Sequence, residues 1–224
     1  MRKNQRLAAI GAMAALTVVL GACGSSETPS AEAPASSAPA ESSSAEAPTS
    51  AAAGDGVTTI EDIFGPACDQ VPTEGEGSAQ GMIDDPVATA ASNNPLLSTL
   101  VTAVGAVDGL ADTLNSAEAL TVFAPFNGAF DKLPPGTVDT LVANPDQLAP
   151  ILQGHVSSTR YDAEGLIEAG TVDVLSGGTV TIGGTADAPT FDGGNGTAAT
   201  NLCGNVPTAN ATVFVIDTVL MPAA

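Results

Sequence analysis

TVFAPFNGAF, residues 121–130, is an apolar run broken once by a polar turn. Thr121, Val122 and Phe123 have the β-branched and aromatic character of a buried strand. Pro125 cannot donate to a ladder and is expected to end it; Asn127 and Gly128 follow before Phe130 restores an apolar side chain. Two readings are open. The stretch is either a loop that presents reactive groups or a strand-to-helix corner that serves only the core, and the flanking sequence has to decide between them.

Upstream, the pattern is helical. Asp84 and Asp85 before Pro86 predict a capped helix start in DDPVATAASNNP, and Asn94 with Pro95 repeats the device before LLSTLVTAV. In that second segment Leu96, Leu97, Leu100, Val101 and Val104 share one face, and Gly105 is a plausible stop. Downstream, Asn144 and Pro145 open a third helix whose Leu148, Ile151 and Leu152 point inward, with Pro150 expected to kink or shorten it.

The C-terminal third changes period. TVDVLSGGTVTIGG predicts a hairpin about Gly177 and Gly178. APTFDGGNGTAATNL supplies further strands, and VPTANATVFVIDTVLMP, with Val213, Val215 and Ile216, has the composition of a sheet-centre strand. Helices first and strands later, without βαβ alternation, predict an α+β fold: an antiparallel sheet with helices on one side or end.

The N-terminal quarter is not globular. Arg2, Lys3 and Arg6 precede an uncharged stretch from Leu7 to Leu20, the layout of a secretory signal, and it ends in LGAC. That ending resembles a lipobox, with Cys23 as the acceptor of lipid and the first residue of the mature chain. Residues 24–56 are almost wholly Ala, Ser, Pro, Glu, Gly and Thr, too poor in apolar side chains to offset the entropy of ordering. They are expected to be a tether. The expected division is 1–22 signal, 23–56 lipidated cysteine and tether, 57–83 an extension carrying Cys68, and 84–224 the domain.

Charge and cysteine content narrow the function. The formal net charge is −20, and Lys132 and Arg160 are the sole basic residues after Arg6. Nucleic acid needs a basic footprint, so it is excluded as a partner, as is charge-driven docking on anionic lipid. With Cys23 lipidated, Cys68 and Cys203 remain as an even pair in an exported chain; they are either bridged or two buried thiols.

No pattern demands catalysis. The single histidine, His155, lies in an apolar segment and reads as a structural residue; a hydrolase using it would need Ser or carboxylate within reach. G-x-S-x-G is absent, and so are zinc-ligand spacings and an EF-hand loop. DGGNG, residues 192–196, lacks the lysine of a phosphate loop and reads as a turn. The pairs Glu74/Glu76 and Asp84/Asp85 sit in loop or cap contexts. No catalytic residue, metal ligand or cofactor is expected.

TVFAPFNGAF resembles the first box of fasciclin domains, VFVIDTVLMP (Val213–Pro222) resembles their closing strand, and ILQGHV lies where the family carries a Tyr-His pair. The frame GPAC…QGMIDDPVATAASNNPLL…TLNS with CGNVPTANATVFVIDTVLMP is similar to the secreted mycobacterial fasciclin antigens and their surface lipoprotein sibling. The resemblance implies a wedge of two small β-sheets with helices against it, and a Cys68–Cys203 disulfide. It makes residues 121–130 a structural corner, with Asn127 capping and Phe130 entering the core. It also implies adhesion at a surface rather than catalysis. Gly154 replaces the family's Tyr and Phe126 its Thr, so animal-type integrin recognition does not carry over.

The expected function is that of a lipid-anchored surface protein on the extracytoplasmic side, also released, held to the membrane through Cys23. It would bind an unidentified protein or glycan through the segment around Gly154, His155, Val156 and Tyr161 and the Gly-rich loops. The alternative is a lipoprotein that binds a small lipid-like ligand, for which an apolar pocket is expected near Phe126 and Leu133.

Overall fold

Leu120–Pro125 forms strand β1, and all six of its residues are buried. The computed structural model describes residues 56–221, so the signal, Cys23 and the tether to residue 55 lie outside the described residues. β1 is flanked by β2 (Val156–Ser157) and, in parallel, by the last strand, β7 (Ala211–Ile216). Between them in sequence lie β3 (Thr171–Asp173), β4 (Thr179–Thr185), β5 (Ala188–Asp192) and β6 (Ala198–Pro207). The strand order is β2-β1-β7-β6-β5-β4-β3. The sheet is therefore mixed: the expected antiparallel arrangement holds for every neighbour pair except β1 with β7.

β6 belongs to both halves of the sheet, and its register against β7 shifts between Asn201 and Val206. A bulge of this kind bends a strand and increases its twist. One end of β6 thus extends the β3–β5 meander while the other joins the β1–β7 layer, giving the two small sheets of the fasciclin-like wedge.

Because β1 and β7 are covered on both faces, their side chains alternate between two cores. Leu120, Val122, Ala124, Val213 and Val215 join the core formed with the helices. Those helices are α1 (Ala79–Met82), α2 (Val87–Asn93), α3 (Ser98–Gly105) and α4 (Leu110–Ser116), followed later by α5 (Asn127–Phe130), α6 (Thr137–Val142) and α7 (Pro145–Gln153). Phe123, Phe214 and Ile216 point the other way, to meet Phe191 of β5 and α8 (Ala163–Ala169). The Phe123 ring centroid lies 4.8 Å from that of Phe191 and 6.2 Å from that of Phe214.

The caps differ from expectation. Asp84 and Asp85 do not cap α2; Asn210, 123 residues further on, accepts the Val87 N–H through Oδ1 at 2.9 Å. Asn115 of α4 accepts from Ala88 (2.9 Å) and Thr89 (3.4 Å). The α2 N-terminus is buried against other elements, so distant asparagines serve it where a local aspartate would serve an exposed end. Asn94 caps as expected, accepting from Leu96 N at 3.0 Å. Asn144 occupies the start of α7, but its Nδ2 donates to the Thr140 carbonyl of α6. α7 runs through Pro150 with Leu148, Ile151 and Leu152 buried.

At the opening corner, β1 continues through Pro125, which pairs with Ile216 in register, and the Phe126 N–H completes the ladder to the Ile216 carbonyl. Proline is tolerated because the donor at the end of the strand comes from the next residue. Asn127 does not cap its own helix: Oδ1 accepts from Thr99 N (3.0 Å) and Ser98 Oγ (3.2 Å), and Nδ2 donates to the Pro95 carbonyl (2.9 Å). It fastens the start of α3 to the corner. Phe130 is half-buried against the cores. The stretch is a structural corner.

Residues 57–83 are built into this fold. Ala67 N–H donates to Leu202 O, Phe64 bridges to Gly204, Val71 and Met82 are buried, and Cys68 is disulfide-bonded to Cys203 across a separation of 135 residues. Closing a loop of that length stabilises by about 4–5 kcal/mol in the chain-entropy model. Gly56 is held as well: its carbonyl accepts from Thr212 Oγ1 (2.6 Å) and Arg160 Nε (3.2 Å).

Candidate functional site

His155 is positioned by the end of α7 and the start of β2, and it is 2% exposed. Nδ1 lies 2.8 Å from the Ile151 carbonyl, and Nε2 accepts from the Leu220 N–H at 2.9 Å. The carbonyl requires a proton on Nδ1 and the amide requires a lone pair on Nε2, so the ring is neutral in one tautomer. Burial lowers its pKa to about 4 against the partial opposition of the Ile151 hydrogen bond. Both nitrogens are engaged by backbone, so neither is open to take a proton from a substrate. The histidine joins α7 to the segment after β7, and it does not serve as the base of a hydrolase.

The segment expected to make contacts divides by burial. His155 and Val156 are buried, at 2% and 4% exposure, and present no surface. Val156 pairs with Val122 in β2, which is why it turns inward. Tyr161 is half-buried against the Phe123 core, and its N–H donates to Thr121 Oγ1 at 2.8 Å. Gly154 is half-buried, and Ser158 and Thr159 are the exposed residues of the stretch.

Gly154 and the Gly-rich turns do come together. A groove of about 310 Å³ is lined by Gly154, Ser176, Gly178, Gly193, Gly194 and Met221, among others. The turn of residues 192–196 behaves as expected: Asp192 Oδ1 accepts from Gly194 N (2.8 Å) and Gly196 N (3.2 Å). Of the two N-x-T sequences, Asn195-Gly196-Thr197 and Asn210-Ala211-Thr212, the first presents an exposed asparagine, while Asn210 is buried and committed to α2 and to the Leu114 and Ala117 carbonyls.

The apolar pocket expected near Phe126 and Leu133 is nearly filled; the space at Leu133 and Phe130 is about 20 Å³. A roomier apolar opening than that lies between α2, α3, α4 and strands β1 and β2, at about 290 Å³. The sequence signal for it is an apolar content that a packed core would show equally. Val101, Val104, Leu110 and Leu114 supply more apolar surface than β1 alone covers, and the excess lines the cleft.

Among the described residues, no cluster of three or more His, Cys, Asp or Glu is placed to hold a metal. No single helix there is long and apolar enough to cross a membrane.

Comparison with known proteins converges on one family. The fasciclin domain model matches residues 95–222. The chain is 45% identical over 188 residues to the cell surface glycolipoprotein MPT83 of Mycobacterium tuberculosis, covering 79% of this chain and 78% of that one. It is likewise 45% identical over 182 residues to the immunogenic protein MPB70 of Mycobacterium bovis, covering 78% of this chain and 86% of the relative. Among solved structures it is similar to a fasciclin domain pair from the insect cell adhesion molecule fasciclin I. The TM-score is 0.55 at 17% identity, over 63% of this chain and 52% of that one, a likeness of fold.

Proposed function

This chain belongs to the fasciclin domain family, and on that premise we propose that it is a surface lipoprotein of the bacterial envelope. Its domain would bind a protein or glycan without catalysis. The observation that carries this reading is the extent of the similarity to cell surface glycolipoproteins: it covers 79% of the chain, well beyond the fasciclin domain itself. The LGAC motif at Cys23 and the Ala/Ser/Pro-rich stretch after it supply the anchor and the tether that a surface location needs. The engagement of His155 by backbone on both sides supports a binding role over a hydrolytic one.

The contact surface in this reading is the groove beside Gly154, ringed by the turns at 176–178 and 193–194. Backbone groups left uncovered by glycine side chains suit a partner that presents hydroxyls or peptide edges. A Cβ at Gly178 meets only Ser176 Oγ and Val174 Cγ2 at ordinary contact distance, so a large side chain is accepted there.

The test is adhesion of cells carrying the full chain to immobilised matrix proteins and envelope glycans, with Gly178→Trp and Cys23→Ala chains alongside. Binding to one coating, lost in Gly178→Trp and absent from the cells but retained in the released Cys23→Ala protein, is the expected result. Failure of the unaltered chain to bind any coating refutes the reading.

A further inference from the structure

The cleft between α2, α3, α4 and β1 has a consistent chemical gradient. Its floor is formed by Val122, Leu152, Val156 and the ring of His155, all less than a tenth exposed. His155 offers no hydrogen bond there, since both nitrogens are committed to backbone. Its walls are aliphatic, among them Leu100, Val101, Val104, Leu110 and Leu114. Thr89, Ser92 and Gly105, at its rim, are exposed. No charged side chain lines it.

We propose that this cleft binds one aliphatic chain of a neutral lipid, with the chain end toward His155 and an uncharged polar head at Thr89 and Ser92. The volume of about 290 Å³ is at the lower end of small-molecule sites, enough for a single medium-length chain and too small for a bulky polycycle. The floor sets the orientation, because a polar end placed there would lose water and find no partner.

The charge of the molecule sets the head. Lys132 is paired with Asp217 at 2.8 Å, and the Arg160 guanidinium is built into the Gly56, Thr208, Ala211 and Thr212 contacts; neither lines the cleft. A carboxylate or phosphate head at the rim would meet no cation among the described residues, on a chain whose net charge is −20. A hydroxyl or ester head carries no such cost, and the Thr89 and Ser92 hydroxyls are available to meet it. Ser92 Oγ donates to the Thr89 carbonyl and Thr89 Oγ1 accepts from Asn115 Nδ2 (3.2 Å), which leaves acceptor capacity on the first and a donor on the second.

The cleft shares no lining residue with the Gly154 groove, so this inference is independent of the surface-adhesion reading.

The test is native mass spectrometry and methyl NMR of the full chain, stripped of co-purified lipid and titrated with monolauroylglycerol below its aggregation concentration. One-to-one binding is expected, with shifts at the Val104 and Leu110 methyls and none at Leu133 or Val138 across the molecule. Laurate should bind at least tenfold more weakly, and monodecanoylglycerol, two methylenes shorter, about tenfold more weakly. Gly105→Phe places a ring at the rim, where a Cβ meets nothing within 4 Å, and should abolish binding while keeping the melting temperature. Absence of binding, shifts outside the cleft, or equal binding of laurate overturns the proposal. So does undiminished binding by a folded Gly105→Phe chain; should that variant unfold, the methyl shifts of the unaltered chain decide.

Discussion

The two halves of the sheet are stabilised differently. β1 and β7 are buried at every residue and pair in parallel although they lie about ninety residues apart. β3, β4 and β5 pair with their sequence neighbours, and β4 alternates buried with exposed positions from Thr179 to Ile182. The β1–β7 half depends on long-range closure and on cores on both faces; the β3–β5 half is a meander with one face in water. Stability should therefore concentrate in the first half, and functional variation is tolerated best in the turns of the second.

The largest test of that contrast is Phe123→Ala. Phe123 is wholly buried in β1 but packs on Phe191 of β5 and Phe214 of β7, so it couples the two halves. Truncation should cost about 4 kcal/mol in chemical denaturation. A loss under about 1 kcal/mol would mean that the halves are not coupled through the aromatic cluster.

Next comes pH. The folded His155 pKa of about 4 lies below its ordinary 6.5, so the unfolded chain takes up a proton in that window and the folded chain does not. Stability from this group is complete above about 6.5 and declines as the pH falls toward about 4, by on the order of 3 kcal/mol. His155→Leu should flatten that decline in urea titrations. It should also cost about 2 kcal/mol at neutral pH, because the buried Leu220 N–H loses its acceptor. An unchanged acid profile would place the acid sensitivity elsewhere.

The smallest effect is expected at Lys132→Met. Burial tends to raise the Asp217 pKa, but the Lys132 ammonium, the Thr200 N–H and the Thr218 hydroxyl together hold it below its ordinary 3.8. Its contribution is thus present above that value and is lost in more acid solution. With Lys132 half-exposed, the pair is worth less than about 1 kcal/mol, and the Thr200 N–H at 2.7 Å persists in the variant. A cost beyond 2 kcal/mol would show that the segment after β7 depends on the ion pair rather than on His155.

Legibility in the sequence follows the same division. The Gly177–Gly178 hairpin could be read from local alternation and turn residues, and the helical faces of α3 and α7 from their spacing. The parallel union of β1 with β7 could not, because a continuous apolar run carries no register and its partner lies far along the chain. The capping of α2 by Asn210 and Asn115 was hidden for the same reason: side-chain caps supplied from distant segments leave no trace in the local pattern. Of the site, Gly154 and the Gly-rich turns do meet at one groove. His155 reads as structural from its apolar segment, and it is buried; the burial of Val156 beside it is not legible, because a two-residue strand such as β2 is too short to show a period. The apolar cleft was missed because residues lining a cavity and residues filling a core are chemically alike.

Gly56 and the disulfide together have a mechanical consequence. A pull on the chain from its N-terminal side would first load the Gly56 carbonyl, clamped by Thr212 of β7 and by Arg160. If that clamp yields, the chain peels only as far as Cys68, where a covalent bond to β6 stops it. The slack released in between is about 40 Å at full extension. The protein thus has a short, self-limiting shock absorber ahead of its sheet, and reduction of Cys68–Cys203 would turn it into a ripcord.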